Sequence, residues 1–287
     1  MPRFSTAVQA EAVNLPATSN HAPSDDLAPY IARFFVTIVD QAGSESAEDI
    51  LLNEGATVHL PVEGDWAWQA GAGDWQALEA PMLFGPRGRA MRIRARGGAM
   101  MVGFVIRPGG WLALDTRPAS AVADCAEAIC DAWGPALDTL PIDASDPLRI
   151  VARLEEVIRD RIRVVGAMAS PKAARFEAMV RAESNIPVTR AASHLGMTSW
   201  TFDRFVRRHF GHAPKIVLRR SRFLDMAGVM HGLAAPDTDA LAPIRFYDAS
   251  HLNREFRTFI DMTPGVFARA HTPLLNAELA ARQLLAG

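Results

Sequence analysis

One pattern occurs twice near the C-terminus, fifty positions apart, and it narrows the folds open to this chain more than any other feature. The first copy reads Arg204-Phe-Val-Arg-Arg-His-Phe-Gly-His-Ala-Pro214, and the second reads Arg254-Glu-Phe-Arg-Thr-Phe-Ile-Asp-Met-Thr-Pro264. Arg204 matches Arg254, Val206 matches Phe256, Arg207 matches Arg257, Phe210 matches Ile260 and Pro214 matches Pro264. Upstream, Phe202 matches Leu252, and Thr198 matches Asp248 as the expected helix cap. A short cationic helix used twice in one small domain suits two reading heads on one long ligand. Duplex DNA is the long, regular, anionic ligand of that kind.

The charge is distributed to match. Net charge is −2, yet residues 172–270 hold 15 Lys and Arg against 9 Asp and Glu, while the remainder holds 15 against 23. Thirteen of those 15 cations are Arg, the better side chain for bidentate phosphate and guanine contacts. With 287 residues and 49% hydrophobic content, the chain has material for two domains with real cores. No run approaches ~18 consecutive apolar residues, so no membrane partner is expected. The stretch Met1 to Tyr30 lacks a charged segment followed by an apolar core, so it does not read as a secretory signal. Its Ala, Pro, Ser, Asn and Asp content predicts a disordered leader over residues 1–29. Cys125 and Cys130 are the only cysteines, which fits a reducing cytoplasm. Read as lying on one helix, they point in different directions, and a buried structural role is favoured over a disulfide or redox role.

Residues 30–168 read as a β-rich sensing or dimerisation domain with a helical extension. Ile31 to Val39 and Ala56 to Val62 are strand candidates, and Met91 to Arg96 alternates strictly, placing Arg92, Arg94 and Arg96 on one face. Met100 to Ile106 is a further apolar strand, and Gly- and Pro-bearing turns suggest a small antiparallel sandwich or barrel. Ala119 to Trp133 and Pro147 to Val165 then carry apolar residues at helical spacing, the second with Leu148, Val151, Leu154, Val157, Ile158 and Ile162 on one face. Residues 172–270 read as all-helical, and residues 271–287 as a C-terminal tail with Leu-rich helical pattern. The expected fold class is therefore α+β.

Within the helical part, Ala192 followed four positions later by Gly196 is a helix-turn-helix pattern, because a small side chain lets two helices cross closely and Gly permits the turn. Thr198 caps the second helix. Phe202, Phe205, Val206 and His209 form its packing face, while Trp200, Asp203, Arg204 and Arg207 project elsewhere, where a recognition helix meets bases and phosphates. Asp203 has two readings, an acceptor for a cytosine amino group or an intrahelical partner of Arg207 at i+4.

Residues 175–270 resemble the DNA-binding domain of the AraC/XylS family of transcriptional regulators. The resemblance is carried by Ala192, Gly196-Met197-Thr198, Phe202-Asp-Arg204, Phe210-Gly211 and Pro214, by Arg222-Phe-Leu-Asp-Met-Ala227, by Phe246-Tyr-Asp248-Ala-Ser250-His-Leu252-Asn-Arg254-Glu-Phe256, and by Met262-Thr-Pro264 with Phe267. It implies seven helices, with two helix-turn-helix units joined by a long helix near Ile216 to His231 that holds both recognition helices on one face of the duplex. Carried over by position, it implies that Trp200, Asp203 and Arg204 face bases in the first unit and that Ser250, His251, Asn253 and Arg254 do so in the second. Arg207, Arg208 and Arg257 are the expected phosphate contacts. Two positions depart from the family: Arg245 replaces a Gly before the aromatic residue of the second unit, and Pro243 sits where a helix normally continues. Candidate partners are double-stranded DNA, a small-molecule effector in the N-terminal domain, RNA polymerase and a second copy of the chain.

The segment Val102 to Gly110, with Asp124 and Trp133-Gly134, resembles the N-terminal sensing region of a branch of these regulators. It implies a β-rich effector or dimerisation domain and no particular ligand. The competing reading is a cupin-like metal or small-molecule enzyme with a helical accessory domain. Gly55, His59 and Glu63 are similar to part of a cupin metal motif, but His59 has no histidine partner nearby. No Gly-rich phosphate loop and no Ser elbow occurs, so neither catalysis nor a cofactor is expected. Arg87, Arg89, Arg92, Arg94 and Arg96 could draw an anionic effector, though a solvated strand face is the favoured reading. Trp66, Trp68 and Trp75 line a pocket or pack a core.

Overall fold

A single bent strand organises the N-terminal half of the computed structural model, which describes residues 17–40, 46–140, 142–233 and 249–284. Within these residues one antiparallel sheet contains β1 (Ala17–His21), β2 (Ile31–Val39), β3 (Ser46–Leu51), β4 (Thr57–Ala70), β5 (Gln76–Ala77), β6 (Met82–Phe84), β7 (Met91–Ile106) and β8 (Ala126–Ala128). The order is β1-β2-β7-β4-β6-β8, with β3 also on β7 and β5 on β4. Met91–Arg96 and Met100–Ile106, read from sequence as separate strands, are two halves of β7. The first half pairs with β3 and the far half of β4, the second with β2 and the near half of β4. The bend falls at Gly97, whose φ is +64°, facing a bulged stretch of β4 at Gly64. A Cβ on Gly64 would stand 2.5 Å from the Ala99 side chain, and Gly97 holds a left-handed backbone, so glycine suits both sides of the curl.

Alternation along β2 sends neighbours to opposite faces. Phe34 and Val36 join Val58, Leu60, Val102 and Phe104 beneath the helices, whereas Phe35 joins Trp66, Trp68, Phe84, Met91 and Ile93 on the other face. The helices over the first face are α1 (Trp111–Leu114), α2 (Ile129–Trp133) and α3 (Pro147–Val165). Asp146 caps α3 by accepting from the Arg149 N–H at 3.1 Å, and Gly166 ends it in the left-handed region. Ile150, Val151, Leu154 and Ile158 are its buried stripe, while Leu148, expected on that stripe, is exposed. The helical region that follows comprises α4 (Pro171–Ala182), α5 (Val188–His194), α6 (Ser199–Phe210), α7 (Pro214–Met230), α8 (Ala249–Ile260), α9 (Pro264–Phe267) and α10 (Pro273–Leu284). The architecture is α+β, a β-rich N-terminal region with a helical extension followed by an all-helical region.

Three expectations need correction. Residues 17–29, assigned to a disordered leader, contain β1 on the edge of β2, and the Arg107 guanidinium donates to the Ala28 carbonyl at 2.9 Å. Residues 119–133 are not one helix. Asp124 takes φ +60°, Ala126–Ala128 pair with β6, and only Ile129–Trp133 is α-helical. Cys125 is consequently exposed rather than buried, and both thiols are free. Finally, the 271–287 segment holds α10, which packs against the sheet and α7 together. Leu274 joins the sheet's core, and Leu275 and Leu279 join the core around α7 and α8.

Candidate nucleic-acid interface

The first unit is built on a left-handed turn. α5 and α6 are joined through Gly196 at φ +65°, and the Met197 N–H closes the turn on the Ala192 carbonyl at 2.9 Å. The Thr198 hydroxyl caps α6 by accepting from the Thr201 N–H at 3.3 Å. Phe202, Val206, His209 and Phe210 are buried, with Phe202 and Phe210 set edge-on against Phe176 of α4 at 5.0 and 5.1 Å. The opposite face carries Trp200, 68% exposed, with the Arg204 guanidinium lying over its ring at 4.6 Å. Arg207 and Arg208 are also exposed. Asp203 is engaged by Arg207 at 2.7 Å, the intrahelical reading of that residue.

The second unit repeats this design where it is described. α8 buries Glu255, Phe256, Phe259 and Ile260 and exposes Ser250, Asn253, Arg254 and Arg257. Arg254 donates from Nε to the Ser250 carbonyl at 3.3 Å. Asp248, Pro243, Arg245 and the segment expected to form the leading helix of this unit lie outside the described residues, as does the side chain of His251. α7 serves both units. Its Val217 and Leu218 enter the first unit's core, and its Phe223 packs on Phe256 and Phe259 at ring distances of 5.0 and 5.1 Å. Arg219 of α7 pairs with Glu255 at 2.7 Å, so the carboxylate that stands where the first copy has Phe205 is neutralised from its neighbour.

Contacts between the two regions involve the first unit closely. His209 Nδ1 lies 3.2 Å from the Pro108 carbonyl and His212 Nε2 lies 3.0 Å from that of Pro86. Burial holds both imidazoles below the usual histidine range. Arg220 of α7, fully buried, donates to the carbonyls of Arg87 and Glu54 at 2.6 and 2.7 Å. Arg282 of α10 sits between Glu54 of the sheet region and Asp225 of α7. None of these bridges was read from sequence, because each joins residues more than fifty positions apart.

Four members of the Arg run meet different ends, while Arg96 is exposed. Arg87 is a buried brace donating to the Asp124 carbonyl at 2.8 Å, Arg92 pairs with Glu48, and Arg94 stacks on Trp75 at 4.3 Å. Arg89 instead faces the end of α8. It shares an open cleft with Arg219, Arg254, Glu255, Arg257 and Thr258. Trp66 and Trp68 are core residues. His59 is buried between Phe35 and Phe84, with neither ring nitrogen bonded, whereas Glu63 is exposed on β4. Among the described residues no group of three His, Cys, Asp or Glu side chains could hold a metal ion, so the cupin-like alternative gains no ligand set.

No family model matches the chain, and no curated protein is significantly similar in sequence. Similar solved structures include ToxT from Vibrio cholerae, at 8% identity over 82% of this chain and 97% of that one, with a TM-score of 0.44. The AraC-like transcriptional activator CuxR matches at 13% identity over 74% of this chain and 87% of that one, with a TM-score of 0.28. A cupin superfamily protein from Desulfitobacterium hafniense matches 32% of this chain and 78% of its own at 16% identity, with a TM-score of 0.26. Likenesses this distant assign neither ligand nor partner.

Proposed function

We propose that this chain is a sequence-specific DNA-binding transcription regulator of the AraC/XylS type. In this reading residues 30–168 sense or dimerise and residues 172–270 bind DNA. One observation carries it: α6 and α8 are equal in length, bury matching spines, expose matching Arg residues and hang from the same helix α7. Trp200, Asp203 and Arg204, with Ser250, His251, Asn253 and Arg254, are the proposed base-facing residues, and Arg207, Arg208 and Arg257 the phosphate contacts. Asp203 must leave Arg207 to meet a cytosine amino group, and Arg207 is thereby released to a phosphate. Contacts with RNA polymerase and pairing of two copies would follow from this role.

Control by an effector would act at a cavity of about 30 Å³ between the sheet and α10, lined by Arg33, Thr37, His59, Trp66, Leu274 and Glu278 among others. That volume admits only water-sized occupants, so anything larger enters by displacing α10. Because Leu275 and Leu279 of α10 pack in the same core as Phe223 and Phe256, such a displacement biases the frame that holds the recognition helices. Selection from a random duplex library by the full-length protein tests the reading. It should enrich two half-sites about one helical turn, roughly 10 base pairs, apart. A library that emerges without enrichment overturns it.

A further inference from the structure

We infer that Arg89, in the β-rich region, is a DNA-phosphate contact that completes the interface formed by α8. The inference rests on the DNA-binding reading above. Arg89 lies in the short loop between β6 and β7, and this loop is fixed in place from both sides. The Ala90 N–H donates to the Phe259 carbonyl at the end of α8 at 2.6 Å, and the Gly88 N–H donates to Asp124 Oδ1 at 2.6 Å. The Arg87 N–H donates to the Asn53 carbonyl at 2.9 Å, and Arg220 of α7 grips the Arg87 carbonyl. Backbone tethers at residues 87, 88 and 90 fix the point and direction in which the Arg89 side chain leaves the chain, which lowers the ordering entropy lost when it meets a ligand.

That direction leads to a cleft bordered by four guanidinium groups, Arg89, Arg219, Arg254 and Arg257, against one carboxylate, Glu255. Glu255 is held by Arg219, leaving the outer side of the cleft to Arg89, Arg254 and Arg257. Among the described residues Arg89 has no carboxylate partner, whereas Arg92 in the same run is paired with Glu48. Like charges gathered at one place without counter-charges raise the local potential and favour an anion. A duplex whose groove receives the Arg254 side of α8 brings its phosphodiester backbone to the rim of that helix, where Arg257 and Arg89 stand. The sensing region then contributes directly to DNA affinity, and a shift of this region relative to α8 would withdraw a phosphate contact.

The experiment measures binding of full-length protein to a random-sequence duplex by fluorescence anisotropy between 50 and 200 mM salt. Arg89→Ala should flatten the log–log salt slope by about 0.9, the signature of one phosphate, with thermal melting unchanged. Arg89→Lys should retain the wild-type slope, and Arg92→Ala, which removes equal charge from the same run, should also leave it unaltered. A steep wild-type slope that Arg89→Ala does not change, or that Arg92→Ala flattens equally, overturns this inference and leaves the DNA-binding reading standing. A wild type without salt-dependent duplex binding overturns both.

Discussion

Gly211 and Asp261 stand fifty positions apart and share a left-handed backbone, with φ of +80° and +56°. Each follows the last residue of its helix, α6 or α8, and each is followed three positions later by the Pro that opens the next helix, Pro214 or Pro264. The two units therefore end by the same device, although only one uses the residue suited to it. Asp261→Gly should be neutral or stabilising by up to about 1 kcal/mol, because relief of the left-handed penalty is partly offset by glycine's greater unfolded-state entropy. Gly211→Ala should destabilise by about 1–2 kcal/mol on conformation alone. Its Cβ would also stand 3.1 Å from the Pro86 ring and 3.3 Å from the Ala119 carbonyl, disturbing the contact with the sheet region. Urea midpoints with unchanged m-values would check both signs, and the reverse ordering would refute a shared terminator.

Arg204 and Arg257 should fail differently when truncated. Arg204→Ala removes a proposed base contact, so specific binding should weaken by about 1–3 kcal/mol and preference should relax at one base pair. Arg257→Ala should weaken binding to every sequence and flatten the salt slope. Competition titrations with the selected site and single-base variants separate the cases. A uniform loss from the first variant, or a purely sequence-selective loss from the second, would reverse the assignments.

The elements that sequence located well are those whose pattern is complete within themselves. β2 and α3 begin and end where an apolar run and helical spacing placed them, since β2 is buried on both faces and α3 along one stripe, each through its own residues. Ala119 to Trp133 misled because its apolar spacing fits a helix locally. Its conformation is instead set by Asp124 bonding the Gly88 N–H and by β8 pairing with β6, partners roughly forty positions away. The exposed face of α6 followed from its buried one. Arg89 beside α8, and α10 against both regions, arise only when distant segments meet, and no local period encodes such meetings.

His59 should limit stability in acid. Burial, reinforced by the charge of Arg33, pushes its imidazole down to about 3 from the ordinary 6.5. A depressed folded value means the unfolded chain binds the proton first, so stability is full above about 6.5 and declines as pH falls toward 3. At pH 5 that decline amounts to about 2 kcal/mol, fixed by the distance from the unfolded value. Asp49 acts oppositely over part of this range. Burial raises its carboxyl to about 7, against the hydrogen bonds it accepts from the Ile50 and Leu274 N–H groups, so stability should fall as pH rises from about 4 toward 7. His59→Leu should remove the His59 share of the acid decline, leaving that of the buried His209 and His212 set against the Asp49 slope. Denaturation series at pH 5, 6 and 7 would check it, and an unchanged acid decline in His59→Leu would place the titrating group elsewhere.

Arg282 is a buried charge that ties α10 to both the sheet region and α7. It is 6% exposed at the side chain and lies between Glu54 and Asp225, at 3.0 Å from the latter. Burial alone would raise the Glu54 carboxyl, but Arg282, Arg181 and Arg220 together hold it down at about 2. Stability drawn from Glu54 is thus complete above about 4.5 and is lost as pH falls through 2. Arg282→Ala strands two carboxylates. Because both keep some solvent contact, the loss should lie near the lower end of the roughly 3–5 kcal/mol typical of a broken buried pair. Adding Glu54→Gln should recover part of that loss, since the orphaned charge is gone, while Asp225 can turn toward water. If α10 also transmits the state of the sheet cavity, Arg282→Ala should alter duplex affinity under conditions where the protein is still folded. Denaturation and anisotropy on the same samples distinguish a helix that merely stabilises from one that couples the two regions, because only the second changes affinity before unfolding begins.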